Sequence, residues 1–140
     1  MSERAPKPIP VVHDGNRPFW DGARAHRLVV QQCSACGHLR YPIAAVCPQC
    51  LSDATEWTAL SGCGTVFARA VYHRAFGANP VADVPYVLAI VQLEEGPRMI
   101  SDIVDAGPED VDVGTPVEVV FDLVSDDITV PRFCVREDQR

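Results

Sequence analysis

No stretch of the 140-residue sequence approaches the roughly 20 consecutive apolar residues that a helix needs to cross a bilayer. The opening decapeptide, MSERAPKPIP, has no apolar core, so no secretory signal is expected there and the expected compartment is the cytoplasm. Charged residues are scarce at 22%, and 12 prolines disfavour long helices, which points to a body of strands and loops. Catalytic signatures are missing too. There is no G-x-S-x-G, no P-loop, no dinucleotide-binding glycine pattern and no carboxylate pair in a setting that would raise one pKa. Internal repeats and low-complexity segments are also absent. What remains is a 47% hydrophobic chain, enough for the core of one ordinary domain or of two very small ones fused.

The formal net charge of −7 is unevenly placed. Residues 1–80 carry eight Arg/Lys against five Asp/Glu, a balance of +3. Residues 81–140 carry four Arg against fourteen Asp/Glu, a balance of −10. The second half therefore repels a polyanion and the first half barely attracts one, which weighs against nucleic acid as the partner.

The first sixteen residues hold three prolines and no hydrophobic period, which predicts an extended arm. A short helix is predicted from about Arg17, with Asn16 as its cap and Pro18 in its first turn. Phe19, Ala23 and Arg27 would share one face of it, with Trp20 alongside. So short a helix is marginal in water and must dock on something. LVVQQ at 28–32 has strand character. Beyond residue 60 the period turns to two in 65–72, 98–105, 116–124 and 128–135, while 85–93 is almost continuously apolar, as in a strand covered on both faces. The segment 107–115 reads as a polar turn. Five short strands with tight turns predict a small antiparallel barrel, closed or nearly so, because closure removes exposed edges.

Four of the six cysteines form two C-x2-C units, Cys33/Cys36 and Cys47/Cys50, ten residues apart. Each unit is a knuckle that aims two sulfurs at one ion, and two knuckles supply the four thiolates of a structural zinc. Gly37 after the first and Pro48 within the second suit sharp turns. A single iron in the same sulfurs, or a dithiol switch, are the competing readings. A four-sulfur zinc has no open position for water, so it would act as a staple for a segment too short to build its own core.

The other reactive side chains have plainer accounts. Cys63 and Cys134 read as small turn or core residues, His38 as a surface residue beside a complete ligand set, and His13 and His26 have no evident partner. Arg69, His73 and Arg74 form a basic cluster at the mouth of a loop. A solvated surface is the first reading of it and a phosphate contact the second.

RPFWDG, QQCSACG, RYP, CPQC, SGCGTVFARAVYHR, PYVLAIVQLEEGPRMISDIVD and PRF occur in this order over residues 17–134. This series resembles the bacterial and archaeal DUF35 family, a rubredoxin-like zinc ribbon followed by an OB-fold. The resemblance implies a mainly β chain: an extended arm and docking helix at 1–32, a ribbon at 33–54 and a five-stranded OB-fold barrel at 55–136. It places the zinc ligands at Cys33, Cys36, Cys47 and Cys50. It further implies a non-catalytic accessory subunit in a hetero-oligomer with a thiolase-fold acyl-CoA enzyme, a thiolase or a retro-aldolase. A MaoC-type enoyl-CoA hydratase is the alternative partner. On this reading the barrel lies near the coenzyme A entrance, Arg69, His73 and Arg74 would touch the cofactor's phosphates, and Phe19 and Trp20 would anchor the partner or pack within the chain. A single-stranded nucleic-acid-binding OB-fold is the reading of another class, disfavoured by charge.

Overall fold

The computed structural model describes residues 11–72 and 86–136. Helix α1 spans Arg17–Arg24 and is followed by strands β1 (Leu28–Cys33), β2 (Leu39–Arg40) and β3 (Thr55–Leu60). Strands β4 (Cys63–Tyr72), β5 (Tyr86–Leu93), β6 (Arg98–Ile103), β7 (Pro116–Leu123) and β8 (Thr129–Val135) complete the fold, with a 3-10 turn at Pro108–Asp110. The first three strands form a sheet in the order β2-β1-β3, and the last five close a barrel in the order β4-β5-β6-β8-β7.

The five barrel strands lie where the period of two puts them. Thr55–Leu60 does not belong to the barrel: it pairs with β1 over its whole length, from Leu28↔Leu60 to Cys33↔Thr55. The strand pairing thus carries the ribbon sheet to Leu60, whereas the sequence reading begins the barrel domain at 55. TEWTAL has no apolar alternation strong enough to reveal its partner, which lies more than twenty residues earlier.

Asn16 does precede α1, but its side chain makes no cap hydrogen bond. Its Oδ1 accepts from the His13 N–H at 2.8 Å and its Nδ2 donates to the Val11 carbonyl at 3.1 Å, which folds the preceding loop instead. The helix also stops before Arg27, because His26 turns the chain at φ 60° and the Arg27 N–H returns to Gly22 O. Its buried face is Phe19, Gly22 and Ala23. A Cβ at Gly22 would collide with Val29, so glycine sets the close approach of helix to strand β1. The helix also packs against β7 and β8, and so ties the ribbon to the barrel. The His26 ring stacks on Phe121 of β7, 5.2 Å between centroids.

One core runs through both units, joining Phe19 and Leu28 to Val66, Val87, Ala89, Val91, Leu93, Met99, Ile103, Val111, Val117 and Phe133. The barrel closes through the Gly64↔Val117 pairing on one side and a parallel Ile103↔Phe133 contact on the other. Strand β5 departs from expectation. Only Val87, Ala89, Val91 and Leu93 are buried, and the opposite face is half-covered. Gly62 turns the chain into β4 at φ +82°, with no room for a Cβ against Val119. Gly62→Ala is expected to cost roughly 1–3 kcal/mol, from left-handed strain plus overpacking, read as a lower urea midpoint with an unchanged slope.

Candidate metal centre

The two knuckles are built alike. In the first, the Gly37 N–H closes on Cys33 O at 2.8 Å and Cys33 N–H donates to His38 O at 2.9 Å. In the second, the Leu51 N–H closes on Cys47 O and Cys47 N–H donates to Ser52 O, both at 2.8 Å. Strand β1 delivers Cys33 directly. The second knuckle sits beyond β2 in a stretch without strand, steadied by Arg40, whose Nη2 donates to Ala44 O at 3.1 Å and to Thr55 Oγ1 at 2.7 Å.

The four sulfurs converge. Cys33 Sγ lies 3.5 Å from Cys50 Sγ and Cys36 Sγ lies 3.6 Å from Cys47 Sγ. All four lie within 4.8 Å of one another. Zinc–sulfur bonds of about 2.3 Å in a regular tetrahedron require sulfurs roughly 3.8 Å apart, so the cage fits that ion. Its electrostatics ask for a cation. The Cys36 N–H donating to the Cys33 sulfur pulls that thiol down to about 6. Cys36 itself is pushed up to about 12: the His38 N–H favours its thiolate, but burial and the neighbouring sulfurs outweigh it. Burial opposes ionisation of Cys47, yet the Cys50 and Gln49 N–H groups bring it down. Cys50 goes up, because its sulfur neighbours, Cys33 first, overcome the Ser52 N–H. Sulfurs this close cannot all ionise by themselves, and a divalent cation removes the conflict. The His38 ring is not part of the cluster.

Of the other sequence candidates, Arg69 donates from Nη1 to Pro108 O at 3.4 Å, and its Nε lies 3.9 Å from Asp112 Oδ1. A phosphate at Arg69 would compete with that carboxylate. His73 and Arg74 lie outside the described residues. Phe19 is only 6% exposed and contacts Trp20 edge-on at 4.9 Å, so it packs within the chain. That burial removes its ring from any docking surface. Trp20 is half-buried and borders a cleft of about 310 Å³ with Tyr41, Tyr86 and Met99. Cys63 and Cys134 are half-buried strand residues.

Sequence reasoning missed three features. Arg132 on β8 donates to both oxygens of Asp102 (2.8 and 2.9 Å) and to Asp122 (2.8 Å), and the paired carboxylates hold its guanidinium charged against the cost of burial. The three come from three different strands, so only the register unites them. The rings of Tyr72 and Tyr86 stack at 5.2 Å where β4 and β5 open. Finally, a patch on the outer side of β4, β5 and β6 is apolar. Ala68, Ile90 and Ile100 stand opposite one another across β4, β5 and β6, with Ala70 opposite Leu88 beside them. Ile100 is 62% exposed there. The apolar run of β5 was the available signal.

Residues 20–56 match the family model of a rubredoxin-like zinc ribbon domain, that of ChsH2, and residues 57–122 match the model of the ChsH2 C-terminal OB-fold domain. A DUF35 domain-containing scaffold protein of Methanocaldococcus jannaschii is 40% identical over 101 residues, 71% of each chain. A Thermomonospora curvata protein named as a probable enoyl-CoA hydratase alpha subunit is 32% identical over 136 residues, 95% of this chain. The chain spans only 42% of that relative's length. Among solved structures, a chain described as Ltp2-ChsH2(DUF35) aldolase superposes with a TM-score of 0.81 at 31% identity, over 91% of this chain and 98% of that one.

Proposed function

As this chain belongs to the DUF35 family of zinc ribbons joined to OB-folds, we propose that it is an accessory subunit that binds and completes an acyl-CoA-processing enzyme. The observation that carries this reading is the likeness, over 98% of that chain, to the chain described as Ltp2-ChsH2(DUF35) aldolase. The metal centre suits such a role. Four sulfurs fill a tetrahedral shell, so the ion holds the ribbon's shape and leaves no position for substrate or water. The apolar patch of Ala68, Ala70, Leu88, Ile90 and Ile100 on the outer side of β4, β5 and β6 offers surface that another polypeptide could cover.

In its finer form, the partner is a thiolase-fold enzyme that cleaves a carbon–carbon bond next to a CoA thioester. This chain would line the cofactor's entrance, with Arg69, His73 and Arg74 near its phosphates. Trp20 is the remaining aromatic candidate for the contact with the partner. The second reading, an enoyl-CoA hydratase partner of MaoC type, draws on the Thermomonospora relative's name. Nucleic acid is the weakest occupant, because residues 81–140 carry −10.

The test is reconstitution. The tagged chain is purified from its host together with whatever acyl-CoA enzyme accompanies it, and each component is assayed alone and combined. The chain alone is expected to turn over no acyl-CoA, while adding it raises the partner's rate roughly tenfold or more through correct positioning. Turnover by the isolated chain, or a partner indifferent to it, would overturn the proposal.

A further inference from the structure

Position for position, the knuckles differ most tellingly at the residue after the second cysteine. Both require a left-handed backbone there: φ is +84° at Gly37 and 65° at Leu51. A Cβ on Gly37 would meet nothing within 4 Å, so the first knuckle uses glycine for its φ and not for space. The second knuckle makes the same closing hydrogen bond at the same 2.8 Å and yet carries leucine. Two other non-glycine residues have positive φ among the described residues, His26 and Asp105, and both are types that tolerate it. Leucine does not. Nor does its own fold reward it, because Leu51 is 74% exposed.

The strain is therefore borne for the side chain, and the side chain faces outward. Its surroundings say what kind of surface it meets. From Leu28 through Ser52 the only charged side chain is Arg40, which is 4% exposed, and no carboxylate occurs between Asp21 and Asp53. Val46, just ahead of the second knuckle, is also exposed. A surface without cations cannot hold a nucleic acid or an anionic lipid. Depletion of charge around exposed aliphatic side chains is the composition of a protein interface's centre.

We infer that Leu51, presented on the second zinc knuckle, is an anchor that enters an uncharged apolar pocket on the acyl-CoA enzyme subunit. This rests on the accessory-subunit reading above and assigns it a contact point. The knuckle is a rigid mount, since its backbone is fixed by the metal and by two hydrogen bonds. An anchor held still loses little entropy on docking.

Leu51→Gly separates the two roles that the residue could have. Glycine relieves the backbone and deletes the anchor, so the melting temperature and zinc content are expected to stay at the wild-type level or rise. The dissociation constant for the enzyme subunit that co-purifies with the wild-type chain, measured by calorimetry, is expected to weaken about tenfold or more. Leu51→Asp, a residue type that also tolerates this backbone but places a charge in the contact, is expected to weaken it roughly a hundredfold. Wild-type affinity in both variants overturns the inference and leaves the accessory-subunit reading standing. No complex with the wild-type chain overturns both. A lower melting temperature or lost zinc in Leu51→Gly, with binding intact, shows that Leu51 serves its own fold. A wild-type chain that dimerises through Leu51 in light scattering, with the dimer lost in Leu51→Gly, makes a second copy the occupant and overturns the assignment to the enzyme.

Discussion

Cys47→Ser is expected to lose its zinc during dialysis against a chelator that leaves the wild-type centre loaded, and to lose the ribbon with it. Zinc binding to four thiolates contributes on the order of 10 kcal/mol or more to folding such small units, and a serine hydroxyl is a poor substitute for a thiolate. Little else holds the second knuckle: among the described residues, no strand pairing occurs from Tyr41 to Ala54. The loss should spread through β1, whose Leu28 and Val30 are buried and whose end carries Cys33. Helix α1, packed between β1 and the barrel, would lose one of its two supports. The measurement pairs zinc quantitation by a colorimetric chelator with a nitrogen–proton NMR spectrum. Resonances of 28–60 should collapse to unfolded positions while those of β4 to β8 stay dispersed. Stoichiometric zinc and a native spectrum in Cys47→Ser would contradict the tetrathiolate assignment.

The second large effect belongs to the barrel. Phe133→Ala is expected to cost about 3–5 kcal/mol, the usual loss for truncating a fully buried phenylalanine. Against a typical domain stability of roughly 5–15 kcal/mol, that removes a large share. Its position puts the cost of the truncation at the upper end of its range. Phe133 sits opposite Val119 on β7 and faces Ile103 in the parallel contact that closes the barrel, and its carbonyl accepts the Val104 N–H at 2.8 Å. A cavity there loosens the seam between β6 and β8, the pair with the shortest ladder. Phe133→Leu should cost far less, about 1 kcal/mol, because most of the volume is kept. Both are read from chemical denaturation with zinc held saturating. Zinc content should not change in either, since no ligand comes from the barrel. A Phe133→Ala variant within about 1 kcal/mol of wild type would mean that the closure is not the core of the domain.

The metal cage and the barrel were legible for a common reason: both are written in local spacing. Two residues between cysteines fix a knuckle's geometry wherever it occurs, and alternation marks strands 65–72, 98–105, 116–124 and 128–135 without knowledge of their neighbours. Thr55–Leu60 was not legible, because its alternation is weak and its strand character depends on pairing with Leu28–Cys33. The cluster of Arg132, Asp102 and Asp122 was hidden for a similar reason. Three residues far apart in sequence meet only when β6, β8 and β7 align.

What the amino-acid sequence determined by itself is the set of ligands, the count of barrel strands and the uneven charge that turns polyanions away. Only the tertiary structure decided which faces are used up. It buried Phe19 inside the chain, left Ile90 and Ile100 on the outside of the barrel, and set Leu51 in a strained backbone facing solvent. A period of two tells which side chains share a face, but coverage is a property of whole layers. It depends on which sheet or helix lies opposite, and no single segment carries that information.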